Sequence, residues 1–348
     1  MNNEQLHIPV LLNSVLETLG DVRGQTVVDC TFGAGGYSRA FLERGANVIA
    51  FDRDPTTQPT AAEFVREFGD RFRFINAPFS EIINLKRDEV ASAPALAGVA
   101  ACEASGGGLN KTAKEPTPGH SVSCPPRRGG GVPADAGIII SAIVFDFGVS
   151  AMQIDNASRG FSFRFDAPLD MRMEGQKADG KGQKTAARLI EELPESELIK
   201  ILREYGDVKK AAPIARAMKS ALPQTTFALR DLIFNPKDIA PVFQALRIAV
   251  NDELGEIQRA LDAVPELLAP GGICAAVSFH SLEDRIVKSR FREWTTAAGD
   301  PRIPFSPQSS AQSNLFSLLK TYKPSAEELA MNPRARSAHL RAVRKGSK

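Results

Sequence analysis

The sequence predicts an α/β fold: a parallel, doubly wound sheet with a helical subdomain inserted into it. Three observations predict it. Short apolar runs alternate with helical stretches. The first run ends in a glycine cluster, Gly33, Gly35 and Gly36. A long stretch of helical periodicity, residues 156–243, separates the fourth run from the fifth.

Taken in order, residues 25–31 read as a short buried strand, residues 38–44 as a helix, and residues 47–51 as a second strand ending at Asp52. Residues 73–75 suit a third strand. Residues 138–147 form a fourth, apolar almost throughout, as a strand covered on both faces must be. A fifth, residues 274–279, follows the turn Pro270, Gly271, Gly272. Within the helical stretch, Leu198, Ile201, Leu202 and Tyr205 fall on one face, with Pro194 near the start and Gly206 as the expected C-cap. Phe243, Leu246, Val250, Leu254, Ile257 and Leu261 read as one long amphipathic helix leading back to the fifth strand. The expected organisation is therefore a core, 1–155 and 244–348, around an inserted substrate-recognition subdomain, 156–243, overhanging the carboxyl ends of the strands, where open α/β sheets bind ligands. Residues 91–136, rich in Gly, Ala, Ser and Pro, hold too few large apolar side chains to offset their ordering entropy and are expected to be a disordered surface insertion.

Composition excludes several classes. With 43% apolar residues in 348, the chain can bury a core, and no apolar run approaches the roughly 20 residues that cross a bilayer. The N-terminus has neither a secretory nor a transit pattern, so a cytoplasmic location is expected. Cys30, Cys102, Cys124 and Cys274 form no CxxC pair, and no metal is expected. The net charge of +2 hides an uneven distribution: residues 332–348 carry six Lys/Arg and no acid. A basic tail on a mildly acidic body suits a polyanionic partner, the alternative being a solvated terminus.

The segment Gly33, Ala34, Gly35, Gly36 lies at a strand-to-helix turn, where glycine lets the backbone approach a ligand. Asp52 follows nineteen residues after Gly33, at the next strand end, from which a carboxylate binds the two ribose hydroxyls of an adenosine. The dinucleotide fingerprint needs a further glycine where Ser38 stands, and no Walker lysine follows. The turn thus lacks a pyrophosphate cradle. S-adenosylmethionine, which has no phosphate, fits better than a nicotinamide cofactor.

The fourth strand ends at Asp146, pointing into the same crevice. Methylating an exocyclic amine is hard because its lone pair is delocalised into the ring. A carboxylate that holds the NH₂ and takes its proton would ease this, while an N-cap or cofactor contact is the alternative role. Past the fifth strand, His280 faces the same crevice and is a candidate base contact. Ser281 and Asp284 have capping-box spacing for the helix that follows. That helix carries Arg285, Lys288, Arg290 and Arg292, and with Arg334, Arg336, Arg341 and Arg344 it is a candidate phosphate-binding surface. Residues 338–344 also alternate like a terminal strand, whose wet face these arginines would equally suit.

Together these segments carry a resemblance. Residues 7–12 (HIPVLL), 31–36 (TFGAGG), 52–55 (DRDP), 146–150 (DFGVS), 159–163 (RGFSF), 168–173 (PLDMRM), 243–248 (FQALRI), 278–285 (SFHSLEDR) and 332–337 (NPRARS) occur in this order. The chain resembles the ribosomal RNA small subunit methyltransferase H family, also called MraW, over nearly everything except residues 91–136. The resemblance implies a Rossmann-like S-adenosylmethionine-dependent methyltransferase sheet with an inserted helical domain. It implies N4-methylation of a cytidine in the decoding region of small-subunit ribosomal RNA, with that RNA or the assembled subunit as partner and a homodimer as an open option. Its donor-binding positions fall on Gly35, Gly36, Tyr37, Asp52, Phe79, Asp146 and Gln153; Tyr37, Phe79 and Gln153 rest on the resemblance alone. Departures are Tyr37 where the family usually has His, Cys30 where it has Gly, and Ala151 and Met152 where it has Ser-Pro.

Overall fold

The computed structural model describes residues 9–86, 138–175, 184–296 and 315–347; the Gly-rich stretch 91–136 lies outside them. After helix α1 (Leu12–Leu19) the chain lays down β1 (Thr26–Asp29), α2 (Gly36–Glu43), β2 (Asn47–Phe51), α3 (Gln58–Phe68) and β3 (Phe72–Ile75). A 3-10 segment, Phe79–Lys86, precedes β4 (Ile140–Asp146) and the short helix α4 (Ala151–Asp155). Then come α5 (Ala186–Glu192), α6 (Glu195–Gly206), α7 (Ala211–Ala221), α8 (Thr226–Asp231), α9 (Pro236–Asn251) and α10 (Glu253–Leu267). The chain ends with β5 (Leu268–Ser278), α11 (Ser281–Thr295), β6 (Phe316–Leu318), α12 (Ala326–Met331) and β7 (His339–Lys345).

The seven strands form one sheet in the order β3-β2-β1-β4-β5-β7-β6. β1 to β5 are parallel, and β7 runs antiparallel between β5 and β6. This is the Rossmann-like architecture the sequence predicts. Its central parallel strands are buried on both faces. Val27, Val48, Ala142 and Ala275 join α1–α3 in one core, and Val28, Ile49, Ile143 and Cys274 join α10 and α11 in the other. Strand order reverses between β1 and β4, so the crevice beyond their carboxyl ends is the switch point where such sheets take ligands.

A third core belongs to the inserted helices. Leu198 and Leu202 of α6, Ile214 and Met218 of α7, and Phe243, Leu246 and Val250 of α9 pack together with Leu169 and Met171. The boundary expected at residue 243 thus falls inside α9.

Three details differ from expectation, each for a physical reason. Gly206 is no C-cap: Asp207 takes the left-handed position (φ 51°), while a Cβ on Gly206 would lie 2.6 Å from the Pro241 carbonyl oxygen. The glycine is there so that α6 can approach α9. The single long helix is two, broken at Asp252 (φ 48°). At the break the buried Asn251 side chain donates to the Met171 and Arg247 carbonyls and accepts from the Met173 N–H. Lastly, Pro270 to Gly272 does not precede β5 but bulges within it, since Ile140 pairs Leu268 and Ala142 pairs Ile273.

Candidate active site

The glycine turn leaves β1 through Cys30, Thr31 and Phe32. Gly35 is obligatory there: φ is 81°, and a Cβ would lie 2.5 Å from the Phe64 ring. The Gly33 N–H donates to Asp52 Oδ2 (2.7 Å), and the Asp54 N–H donates to Asp52 Oδ1 (2.8 Å). The turn and the end of β2 are thereby one unit, and each Asp52 oxygen keeps lone-pair capacity for a second donor. Burial, with Asp54 and Asp29 nearby, raises the Asp52 carboxyl to about 6.

Beneath the turn Asp29 is fully buried, accepting from the Ser38 hydroxyl (2.6 Å) and the Thr31 N–H (3.1 Å). The Thr31 hydroxyl in turn accepts the Asp146 N–H (2.8 Å), fixing the end of β4 against the glycine turn. Asp146 Oδ1 is buried and without a partner. Burial, then the negative charges of Asp29 and Glu283, push the Asp146 carboxyl well above the usual carboxylate range.

The structure also brings the remaining candidates near this crevice, in differing roles. Ala34 lies in the turn itself. Tyr37 points inward, its hydroxyl donating to the Val10 carbonyl and its ring stacked on Phe41, so its side chain holds α2 to the start of α1. Phe79 sits edge-on to Phe145 and beside Phe147, a flat apolar wall at the end of β4. Gln153 is 6% exposed, and its amide is engaged by the chain: Nε2 donates to Asp54 Oδ2 (2.8 Å), and Oε1 accepts the Ser150 N–H (3.1 Å). Asp54, 1% exposed, also pairs with Arg159 (2.9 Å), whose other nitrogen donates to the Arg172 and Met173 carbonyls (2.9 and 2.8 Å). Arg159 and Asp54 are functional-looking residues that sequence spacing did not expose; their separation of 105 residues leaves no periodic signal.

At the end of β5 the capping pair is His280 and Glu283, not Ser281 and Asp284. Glu283 Oε2 accepts the Phe279 and His280 N–H groups (2.7 and 3.3 Å), while Asp284 holds Arg341 through two bonds (2.7 and 3.0 Å). His280 Nε2 lies 3.0 Å from Glu283 Oε1. Glu253, His280 and Glu283 bring ligand-type atoms within 4.8 Å of one another. Arg247 already grips both Glu253 oxygens (2.8 Å each), so this cluster carries its own cation.

Of the basic candidates, Arg285, Lys288 and Arg336 are exposed, Arg341 is paired with Asp284, and the Arg334 side chain is outside the described residues. A groove of about 550 Å³ beside α11 is lined by Lys288, Arg292 and Arg341 among others. No helix among the described residues is long and apolar enough to cross a membrane.

A family model described as the MraW methylase family matches residues 4–346. The chain belongs to that family. Ribosomal RNA small subunit methyltransferase H of Anaeromyxobacter sp. (strain K) is 38% identical over 360 residues, covering 99% of each chain. The protein of the same name from Maricaulis maris (strain MCS10) is 40% identical over 354 residues, covering 97% of this chain and 90% of its own. Among solved structures, an rRNA methylase from Streptococcus thermophilus aligns over 99% of both chains at 11% identity and a TM-score of 0.38, too distant a likeness to bear on the site. Membership in a methylase family makes the protein a methyltransferase.

Proposed function

We propose that this protein transfers the methyl group of S-adenosylmethionine to the exocyclic N4 amine of a cytidine in the decoding region of small-subunit ribosomal RNA, in the cytoplasm. The observation that carries the reading is the switch-point crevice itself, where a glycine turn bonded to Asp52 faces a buried Asp146. The names of the relatives supply the RNA.

The residues present fit the donor. Asp52 has one free acceptor site per oxygen for the two ribose hydroxyls, and Phe79 offers a flat wall for an adenine. Asp29, Asp52 and Asp146 crowd carboxyl groups around a crevice that suits a cation and has no phosphate cradle. When bound, the donor supplies an electrophilic methyl on a positively charged sulfur. Asp146 then holds the attacking amine through an N–H and receives its proton, positioned by the Thr31 hydroxyl behind it. Burial first, then the negative charges of Asp29 and Glu283, raise this carboxyl, and a cation alongside would offset the charge contribution and favour the acceptor form of Asp146. Arg285, Lys288, Arg336 and Arg341 contact phosphates as the target nucleotide is swung out of its stack.

The deciding experiment is mass spectrometry of ribosomal RNA from cells with and without the protein. N4-methylcytidine that disappears with the protein is the expected result; an unchanged nucleoside inventory refutes the reading.

A further inference from the structure

Helix α11 leaves the carboxyl end of β5, beside the end of β4 that carries Asp146, and runs along β7 to β6 at the edge of the sheet. Aromatic rings fix β6 to the helix: Phe316 stacks on Trp294 (5.0 Å between centroids), and Trp294 packs against Phe291 (5.4 Å). Between the helix and these two strands lies the groove of about 550 Å³.

The charge of this groove is one-sided. Arg285, Lys288 and Arg292 stand at i, i+3 and i+7 on one face of α11. They make a stripe of roughly 10 Å that starts in the first turns of the helix and enters the groove through Lys288 and Arg292. All three are exposed, and among the described residues no acid pairs with any of them. On another face of the same helix Arg290 is held by Asp262 (2.7 Å) and Glu293 (3.1 Å). Across the groove Arg341 is neutralised by Asp284, and no acidic side chain lines the hollow. Two uncompensated cations in a concavity, whose low-dielectric walls focus their field, make a seat for an anion.

The groove also carries hydrogen-bond acceptors. Thr295 and Thr296 donate their hydroxyl hydrogens to the carbonyls of Phe291 (2.9 Å) and Arg292 (2.8 Å). Each hydroxyl oxygen is left with lone pairs and no hydrogen to give. A phosphate diester brings no hydrogen to such an oxygen, whereas a ribose 2′-hydroxyl does.

We propose that this groove is a second RNA site, outside the crevice, that takes the ribose–phosphate backbone of a single-stranded stretch near the target nucleotide. Lys288 and Arg292, one helical turn apart, bind phosphates, and Thr295 and Thr296 accept from 2′-hydroxyls. This rests on the RNA reading above. Contacts of this kind fix the position of a strand without reading its bases, so the groove anchors the chain while the crevice selects the nucleotide.

The test is fluorescence anisotropy of a labelled single-stranded RNA of about 12 nucleotides, and of the same sequence as DNA, with the full chain across a salt series. Lys288→Gln with Arg292→Gln should lower RNA affinity roughly tenfold at about 0.15 M salt. It should also reduce the slope of log affinity against log salt by about 1.4, the share of two phosphate contacts on a single strand. Arg23→Gln with Arg66→Gln, which removes two exposed cations outside the groove, should change neither. The wild type should prefer RNA to DNA. Thr295→Val with Thr296→Val should cut that preference roughly fivefold by weakening RNA alone. An undiminished slope without Lys288 and Arg292, an equal loss without Arg23 and Arg66, or DNA affinity that falls with RNA affinity in the threonine variant overturns the proposal. So does polyglutamate that competes as well as RNA, which points to an acidic protein instead. RNA bound as expected, with an unchanged nucleoside inventory in cells that lack the protein, refutes the methyl-transfer reading and leaves the groove standing, so the two failures are distinguishable.

Discussion

At the glycine turn Asp52 and Asp29 are held by N–H and hydroxyl groups of their own chain, whereas at the end of β4 Asp146 Oδ1 is shielded from water and unpaired. A seat whose groups are already satisfied costs little reorganisation when filled, and the second half is completed by its ligand. On the proposed reading the difference implies an order of assembly, with the donor entering a finished site and the nucleotide finishing the other.

Breaking the acceptor side at its centre should have the largest effect. Asp146→Ala is expected to cut transfer from tritiated donor by about a thousandfold; wild-type turnover would remove Asp146 from the chemistry. Breaking the donor side should act on binding instead. Asp52→Ala is expected to weaken S-adenosylhomocysteine by roughly 10- to 100-fold, for two lost bonds to a charged acceptor, and unchanged affinity by calorimetry would refute the ribose contact. The same carboxylate gives the donor side a pH dependence. Ribose hydroxyls donate to the ionised form, and with the carboxyl raised to about 6, donor affinity should hold above that pH and fall as pH drops through it. A flat calorimetric profile between about pH 5 and pH 7.5 would count against this. The smallest effect on the crevice should come from Gly206→Ala, which drives a Cβ into the Pro241 carbonyl and should destabilise the protein by about 1–3 kcal/mol. A lower melting temperature with unaltered donor affinity would separate the helical packing from the site; a wild-type melting curve would show that α6 and α9 can yield.

Much of this was legible in the sequence, and what was not follows a pattern. β1, β2 and β4 stood out because strands buried on both faces must be apolar throughout, and the glycine turn with Asp52 because a positive φ and a strand end leave few residue choices. β6 was missed: it is three residues long with only Phe316 buried, so no period exists to read. The break at Asp252 was invisible because α9 and α10 continue one apolar rhythm although they serve different cores. The capping corner was found one residue out of register, since Ser281 with Asp284 and His280 with Glu283 have the same spacing. Only burial, which leaves Glu283 at 1% exposure, tells the two pairs apart.

The buried pair of Arg159 and Asp54 has a consequence for anyone wishing to cut the molecule in two. Asp54 lies two residues beyond Asp52, and its counter-charge, Arg159, is carried at the start of the inserted segment, before its helices. Excising the helices together with Arg159 would strand an anion in the interior beside the Asp52 turn, so the sheet and its helical outgrowth are expected to tolerate separation poorly.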